Sequence, residues 1–136
     1  MGAIIEVPGF LPNASGYKNL KYLADISGRA GDKEIRAAME KCGLDPDSRK
    51  WVSKYSLGMR QRLGIAQAIM EDPSLLILDE PMNGLDDTGV LEARRLLADL
   101  KERGKTIILA SHDRQDIDTL CDAVYEMNAG KMTRVR

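Results

Sequence analysis

Apolar positions fall into two textures along the 136 residues. In the first they recur at helical spacing. Tyr17, Leu20, Leu23 and Ala24 share one face of a helix predicted from about Gly16 to Ile26, with Ser15 placed to cap it. Gly28 and Gly31 punctuate the chain, and Ile35, Ala38, Met39 and Cys42 mark a second helix that ends at Gly43. "LDPDSRK" is a turn, and a third helix follows Ser56. From Leu75 the period is lost, because "LLILD" is an apolar run of strand length. Asp86 or Asp87 then caps a helix to about Arg103, with Val90, Ala93, Leu96, Leu97 and Leu100 as its buried stripe and Gly104 as its stop. "TIILAS" (Thr106 to Ser111) reads as a second buried strand, followed by a short helix around Gln115 to Cys121, "AVYEMN", an "AG" turn and "KMTRVR". At the other end, "AIIE" (Ala3 to Glu6) looks like the end of a short strand, and "VPGFLPN" is a loop by its prolines, glycine and asparagine. Strand, helix, strand with both strands apolar throughout predicts a βαβ unit, a parallel sheet and an α/β fold with a right-handed crossover.

Composition narrows the function classes. Apolar residues make up 43% and charged residues 30% of the chain, which is globular composition and enough for one core. A formal net charge of -1 supplies no global field to recruit nucleic acid, and Phe10, Trp51 and four tyrosines are too scattered for a base-stacking surface. No apolar run approaches the ~20 residues that span a bilayer, and Glu6 and Pro8 break the only apolar start. Cys42 and Cys121 form no CxxC and no Cys/His cluster, and are read as reduced thiols of a cytosolic protein.

Candidate chemistry gathers at the strand ends. "LLILDEP" finishes a buried strand with Asp79 and Glu80, and ligands of parallel α/β sheets sit beyond the carboxyl ends of strands. One carboxylate can hold Mg²⁺ directly or through water while its neighbour polarises an attacking water; a strand that merely ends in acids is the plain alternative. Ahead of it, "YSLGMRQRLGIAQAI" offers Ser56 as a helix cap, Gly58 for close backbone approach and a helix N-terminus for an anion. The same residues also fit a cap and nothing more. "MNGLDD" is a polar turn containing Asp86, and "SHD" after the next strand carries His112, the single histidine.

In this order the residues resemble the nucleotide-binding domain of ATP-binding-cassette (ABC) proteins. "YSLGM" is similar to the signature motif, usually LSGGQ, and "RQRLGIAQAI" continues as the signature helix does. "LLILDE" resembles Walker B, "NGLD" the D-loop, His112 the switch histidine, and "IIEVPGFLPNASGYKNL" the region after the Q-loop. The entry segment and the YSLGM form resemble bacterial exporter ATPases of the bacitracin and lantibiotic resistance group. The resemblance implies a partial P-loop NTPase fold of parallel strands with flanking helices plus an α-helical subdomain. Residues 1–15 would be the Q-loop-like strand and loop, 16–72 the helical subdomain with the signature motif, and 73–136 the C-terminal part of the RecA-like core.

The same resemblance implies ATP and Mg²⁺ as ligands and a role for each motif residue. Asp79 would bind the water shell of Mg²⁺, Glu80 would act as general base or position the water, and His112 would contact the γ-phosphate. Ser56 and Gly58 would contact the γ-phosphate of ATP held by a second nucleotide-binding domain, with Asp86 crossing between the two domains. The helical subdomain would meet a membrane permease, which places the protein in the cytoplasm at the inner face of the membrane. Two departures stand out: Glu6 occupies the place of the Q-loop glutamine, and Leu57 and Met59 replace the usual glycine and glutamine, so that Leu57 would crowd the ligand beside Gly58.

The chain contains no GxxxxGK[ST]. "ERGKTII" contains GKT but lacks the first glycine and runs from helix into strand, the reverse of a phosphate loop. The resemblance implies that Walker A and the adenine-stacking aromatic lie before Ala3, so that the chain is the C-terminal portion of an ABC ATPase and by itself nearly inactive. A sheet edge opened in this way predicts self-association or a rebuilt core. Two other functions share these motifs: a non-catalytic regulatory module of the same fold, and a soluble ABC protein of translation or DNA repair.

Overall fold

Among the described residues, a side-chain oxygen accepts a backbone N–H at the head of every α-helix. The computed structural model describes residues 3–5, 10–111, 125–128 and 131–134. Strand β1 (Ala3–Ile5) leads, and a loop then brings the chain to helix α1 (Gly16–Ser27). Ser15 Oγ accepts from the Lys18 amide at 3.2 Å, satisfying one of the open donors of the first turn. Helix α2 (Asp32–Lys41) starts with a carboxylate instead, Glu34 accepting from the Gly31 amide at 3.0 Å. A single 3-10 turn (Val52–Lys54) leads to α3 (Leu57–Ile69), capped by Ser56. Strand β2 (Leu75–Asp79), helix α4 (Asp87–Glu102) and strand β3 (Thr106–Ala110) make the strand–helix–strand unit that the hydrophobic pattern predicts. Of the two acids proposed to cap α4, Asp86 does so, Oδ1 accepting from the Gly89 amide at 2.7 Å. Strands β4 (Tyr125–Asn128) and β5 (Lys131–Arg134) form an antiparallel hairpin.

The sheet runs β1-β2-β3 with both pairings parallel, Ile4 opposite Ile77 and Leu78 opposite Leu109. This is the expected α/β fold of parallel strands and flanking helices. β2 is central, and Leu76 and Leu78 are almost wholly buried between Ala68, Leu97 and Leu100. The buried face of α4 is Gly89, Ala93, Leu97 and Leu100, while Val90 and Leu96 are only half-buried, so the predicted stripe is narrower by two positions.

The expectation of a strand buried on both faces fails for β3. Ile107 and Leu109 pack into the core, but Thr106 and Ala110 are exposed and Ile108 is 53% accessible. The reason is position: β3 is the edge of the three described parallel strands, and α4 covers one face of it. An apolar run suggests two-sided burial, whereas the side-chain alternation of a strand lets one face be packed and the other open.

The helices before the sheet form their own cluster. Leu20, Ile35, Met39, Leu63 and Ala66 are buried together with Val52 and Tyr55. Gly16 permits the closest approach in it, since a methyl group there would lie 2.5 Å from the Tyr55 hydroxyl. Cys42 belongs to the same cluster, and burial pushes its thiol up to about 12. Asn19 is a buried polar staple: its Oδ1 accepts from the Leu11 amide at 2.7 Å and its Nδ2 donates to the Ser15 carbonyl at 2.9 Å. The loop it holds is also sewn to the 3-10 turn, Val52 N donating to Ala14 O and Ser53 N to Pro12 O, each at 2.9 Å. Helix α3 joins the two clusters, giving Leu63, Ile65 and Ala66 to the first and Ala68 to the second. The predicted helix around Gln115 to Cys121 lies outside the described residues.

Candidate nucleotide site

Three segments meet beyond the C-terminal end of β2. The first is the strand end itself. Asp79 closes β2 opposite Ala110 and is exposed. Glu80 extends the ladder by one bond, its amide donating to Ala110 O at 2.8 Å. Its backbone then enters the left-handed region, φ 47°, which non-glycine residues seldom adopt. A conformation that costs about 1–3 kcal/mol must be held by its surroundings. The turn after it provides part of that hold: Asn83 N donates to Glu80 O at 3.1 Å and Leu85 N to Met82 O at 3.1 Å.

The second segment is the start of α3. Ser56 is extended (φ -67°, ψ 165°) and its Oγ accepts from the Met59 amide at 3.1 Å, so the hydroxyl already serves as a cap. Gly58 lies against the third segment, the turn 83–86. A methyl group on Gly58 would approach the Gly84 carbonyl to 3.2 Å and Leu85 Cδ2 to 3.5 Å. Gly84 has φ 81°, and a methyl group there would lie 2.5 Å from both Cγ and Cδ2 of Leu57. Leu57 therefore rests its side chain on the Gly84 backbone, half exposed at 52%. The side chain expected to crowd a ligand beside Gly58 thus packs on the turn of its own chain.

Asp86 ends the turn with its Oδ1 engaged in capping α4. Next to it, Arg62 reaches over from α3. A methyl group on Gly89 would meet its Nη2 at 2.9 Å, and one on Gly43 its Nη1 at 3.6 Å. Arg62, Ile65, Cys42, Leu85 and Ala93 line a cavity of about 20 Å³ between α3 and α4, room for a single water and no more.

Of the residues named from the sequence, Ser56, Gly58, Asp79, Glu80 and Asp86 lie on these three segments. Glu6 and His112 lie outside the described residues, one just after β1 and the other two residues after β3. Gln61 was not singled out in the sequence. It is buried, and its Nε2 lies 3.5 Å from the Glu80 carbonyl oxygen. The signal was present: Gln61 shares the helix face of Ile65 and Ala68, four and seven residues on, where a polar side chain requires a partner.

Among the described residues no three His, Cys, Asp or Glu side chains gather as a metal cage. A lone strand-end carboxylate such as Asp79 suits Mg²⁺, which keeps most of its waters and takes phosphate oxygens beside one or two carboxylates.

Comparison with known proteins agrees with this geometry. A family model described as ABC transporter matches residues 1–83. A bacitracin transport ATP-binding protein of Enterococcus faecalis is 47% identical over 133 residues, covering 97% of this chain and 43% of its own length. Its counterpart in Bacillus licheniformis is also 47% identical over 133 residues, 97% of this chain and 44% of the relative. A lantibiotic transport ATP-binding protein of Streptococcus pyogenes is 39% identical over 132 residues, 97% of this chain and 57% of the relative. The chain belongs to the ABC transporter ATP-binding family and resembles its bacitracin and lantibiotic members. It spans about half the length of these relatives.

Proposed function

We propose that these residues are part of the ATP-binding subunit of a bacterial ABC exporter, whose ATP binding and hydrolysis drive export of an antimicrobial peptide or antibiotic. The observation that carries this reading is the meeting of the Ser56–Gly58 helix start, the 83–86 turn and the strand end Asp79–Glu80 in one place. The names of the relatives, ATP-binding proteins of bacitracin and lantibiotic transport, supply the exporter class.

In this reading Asp79 would hold the water shell of Mg²⁺, which when bound would supply neutralisation of phosphate charge. Glu80 positions the attacking water and takes its proton, its backbone held by the Ala110 and Asn83 bonds. His112 contacts the γ-phosphate. Glu6 stands at the Q-loop place near Mg²⁺. Ser56 and Gly58 present hydroxyl and amide to the γ-phosphate of ATP on a second nucleotide-binding domain, where an anion is favoured by the α3 N-terminus. Asp86 lies in the turn that faces that second domain. Residues 1–15 form the Q-loop segment, 16–72 the helical subdomain that docks on a membrane permease, and 73–136 the Walker B core. The subunit acts in the cytoplasm at the inner face of the membrane. Nucleic acid is not a partner.

The test is ATP hydrolysis by the intact gene product with its permease. Hydrolysis that Glu80→Gln abolishes supports the reading; activity unchanged by Glu80→Gln overturns the role of Glu80. The 136 residues contain no GxxxxGK[ST], so they should bind Mg-ATP weakly when titrated alone by calorimetry. Micromolar binding would mean that another segment cradles the phosphates.

A further inference from the structure

The geometry points to Gln61 as a positioning residue that ties the signature helix to the backbone of Glu80. This inference rests on the role proposed for Glu80 and extends it. Glu80 adopts φ 47° at the point where β2 gives way to the turn. Its amide is fixed to β3 through Ala110 O. Its carbonyl receives the Asn83 amide from within the turn at 3.1 Å, and from outside the turn the amide of Gln61, Nε2 at 3.5 Å.

The Gln61 contact differs in kind from the others. It is a side chain of α3 reaching across nineteen residues of sequence to a main-chain oxygen. Gln61 sits one helical turn beyond Gly58, on the element whose start carries Ser56. Gln61 is a buried residue, and no buried side-chain polar atom among the described residues is left without a partner. A carbonyl pinned from two sides fixes the peptide plane, and with it the direction in which the Glu80 carboxylate leaves the strand end. Leu57 packs on Gly84 in the turn and Arg62 lies beside Gly89 in the first turn of α4, so that the first two turns of α3 contact the segment 80–89 at two further points. Gln61 supplies the bond among these contacts that ends on the residue proposed to do chemistry.

The substitutions that isolate the bond are Gln61→Met, which keeps volume and removes the donor, and Gln61→Glu, which keeps shape and offers no donor when ionised. Both are made in the intact gene product with its permease. Expected is a fall in kcat of about tenfold or more, with KM for ATP within about twofold of wild type, because misplaced groups lose rate without losing ground-state binding. Amide exchange at Asn83 should quicken by about fivefold, the ratio that corresponds to one hydrogen bond, while amides of the α1–α2 pair exchange as before. Wild-type kcat together with wild-type exchange at Asn83 in Gln61→Met overturns the assignment. So does a variant whose losses follow global unfolding, with exchange raised throughout the chain, since that is packing alone. If the wild-type protein hydrolyses no ATP, the proposed function fails, and the exchange at Asn83 still decides whether Gln61 holds the turn.

Discussion

Replacing Gly84 by alanine tests whether Leu57 and the 83–86 turn fit together as described. Two costs should appear. The first is conformational: φ at Gly84 is 81°, and an L-residue pays about 1–2 kcal/mol in the left-handed region. The second is steric. The new methyl would lie 2.5 Å from Leu57 Cγ and Cδ2 and 3.3 Å from its Cβ. Leu57 is half exposed, so it can turn away, at about 0.5–1.5 kcal/mol for leaving its rotamer. The sum is about 1.5–3.5 kcal/mol, which for a chain of this size is a Tm lowered by roughly 5–18 °C. Gly104→Ala is the control, because Gly104 has φ 87° with nothing within 4 Å of the added methyl and should lose the conformational part alone. Urea denaturation of wild type, both single variants and the Leu57→Ala/Gly84→Ala pair measures each part separately. Leu57→Ala should return about half of the steric cost or more. If Gly84→Ala costs no more than Gly104→Ala, the packing of Leu57 on the turn is wrong, and with it the alternative resting place for that side chain.

Leu78→Ala should destabilise by about 2–5 kcal/mol in the same denaturation assay, since Leu78 is almost wholly enclosed in the cluster of Leu76, Leu97 and Leu100. The Lys105 ammonium, 2.7 Å from Asp72 Oδ1 and hydrogen-bonded to it, lowers the Asp72 pKa below the ordinary carboxylate range. The small stability this contributes is fully present above the unfolded-state pKa and is lost as pH falls through the lower folded value; an NMR titration should show the Asp72 pKa move up in Lys105→Met, and an unchanged value would exclude the pair as its cause. With Cys121 replaced by serine, Cys42 should react with a thiol reagent at pH 8 about a hundredfold slower or more in the folded than in the urea-unfolded protein, because burial raises its pKa to about 12 and shields the sulfur.

Among the described residues, the hydrophobic pattern determined the elements to within a few residues. Each helix had a local cause: apolar spacing, Ser15, Ser56 or Asp86 as cap, and glycines at Gly28, Gly43 and Gly104 that take positive φ where the chain turns. Asp79 and Glu80 were legible for the same reason, because a strand end and its following residues are neighbours in sequence. What the sequence could not reveal was which face of β3 is covered, since "TIILAS" reads alike for an edge strand and a central one. Burial there depends on the neighbours that the sheet order supplies. Nor could it reveal the contact of α3 with residues 80–89. Gln61 and Glu80 are nineteen positions apart, and Leu57 and Gly84 twenty-seven. Local propensities act over a few residues, but a hydrogen bond between distant segments exists only once the core has brought them together. Tertiary packing, not pattern, decided that the start of α3 lies against the end of β2 and the turn that follows it.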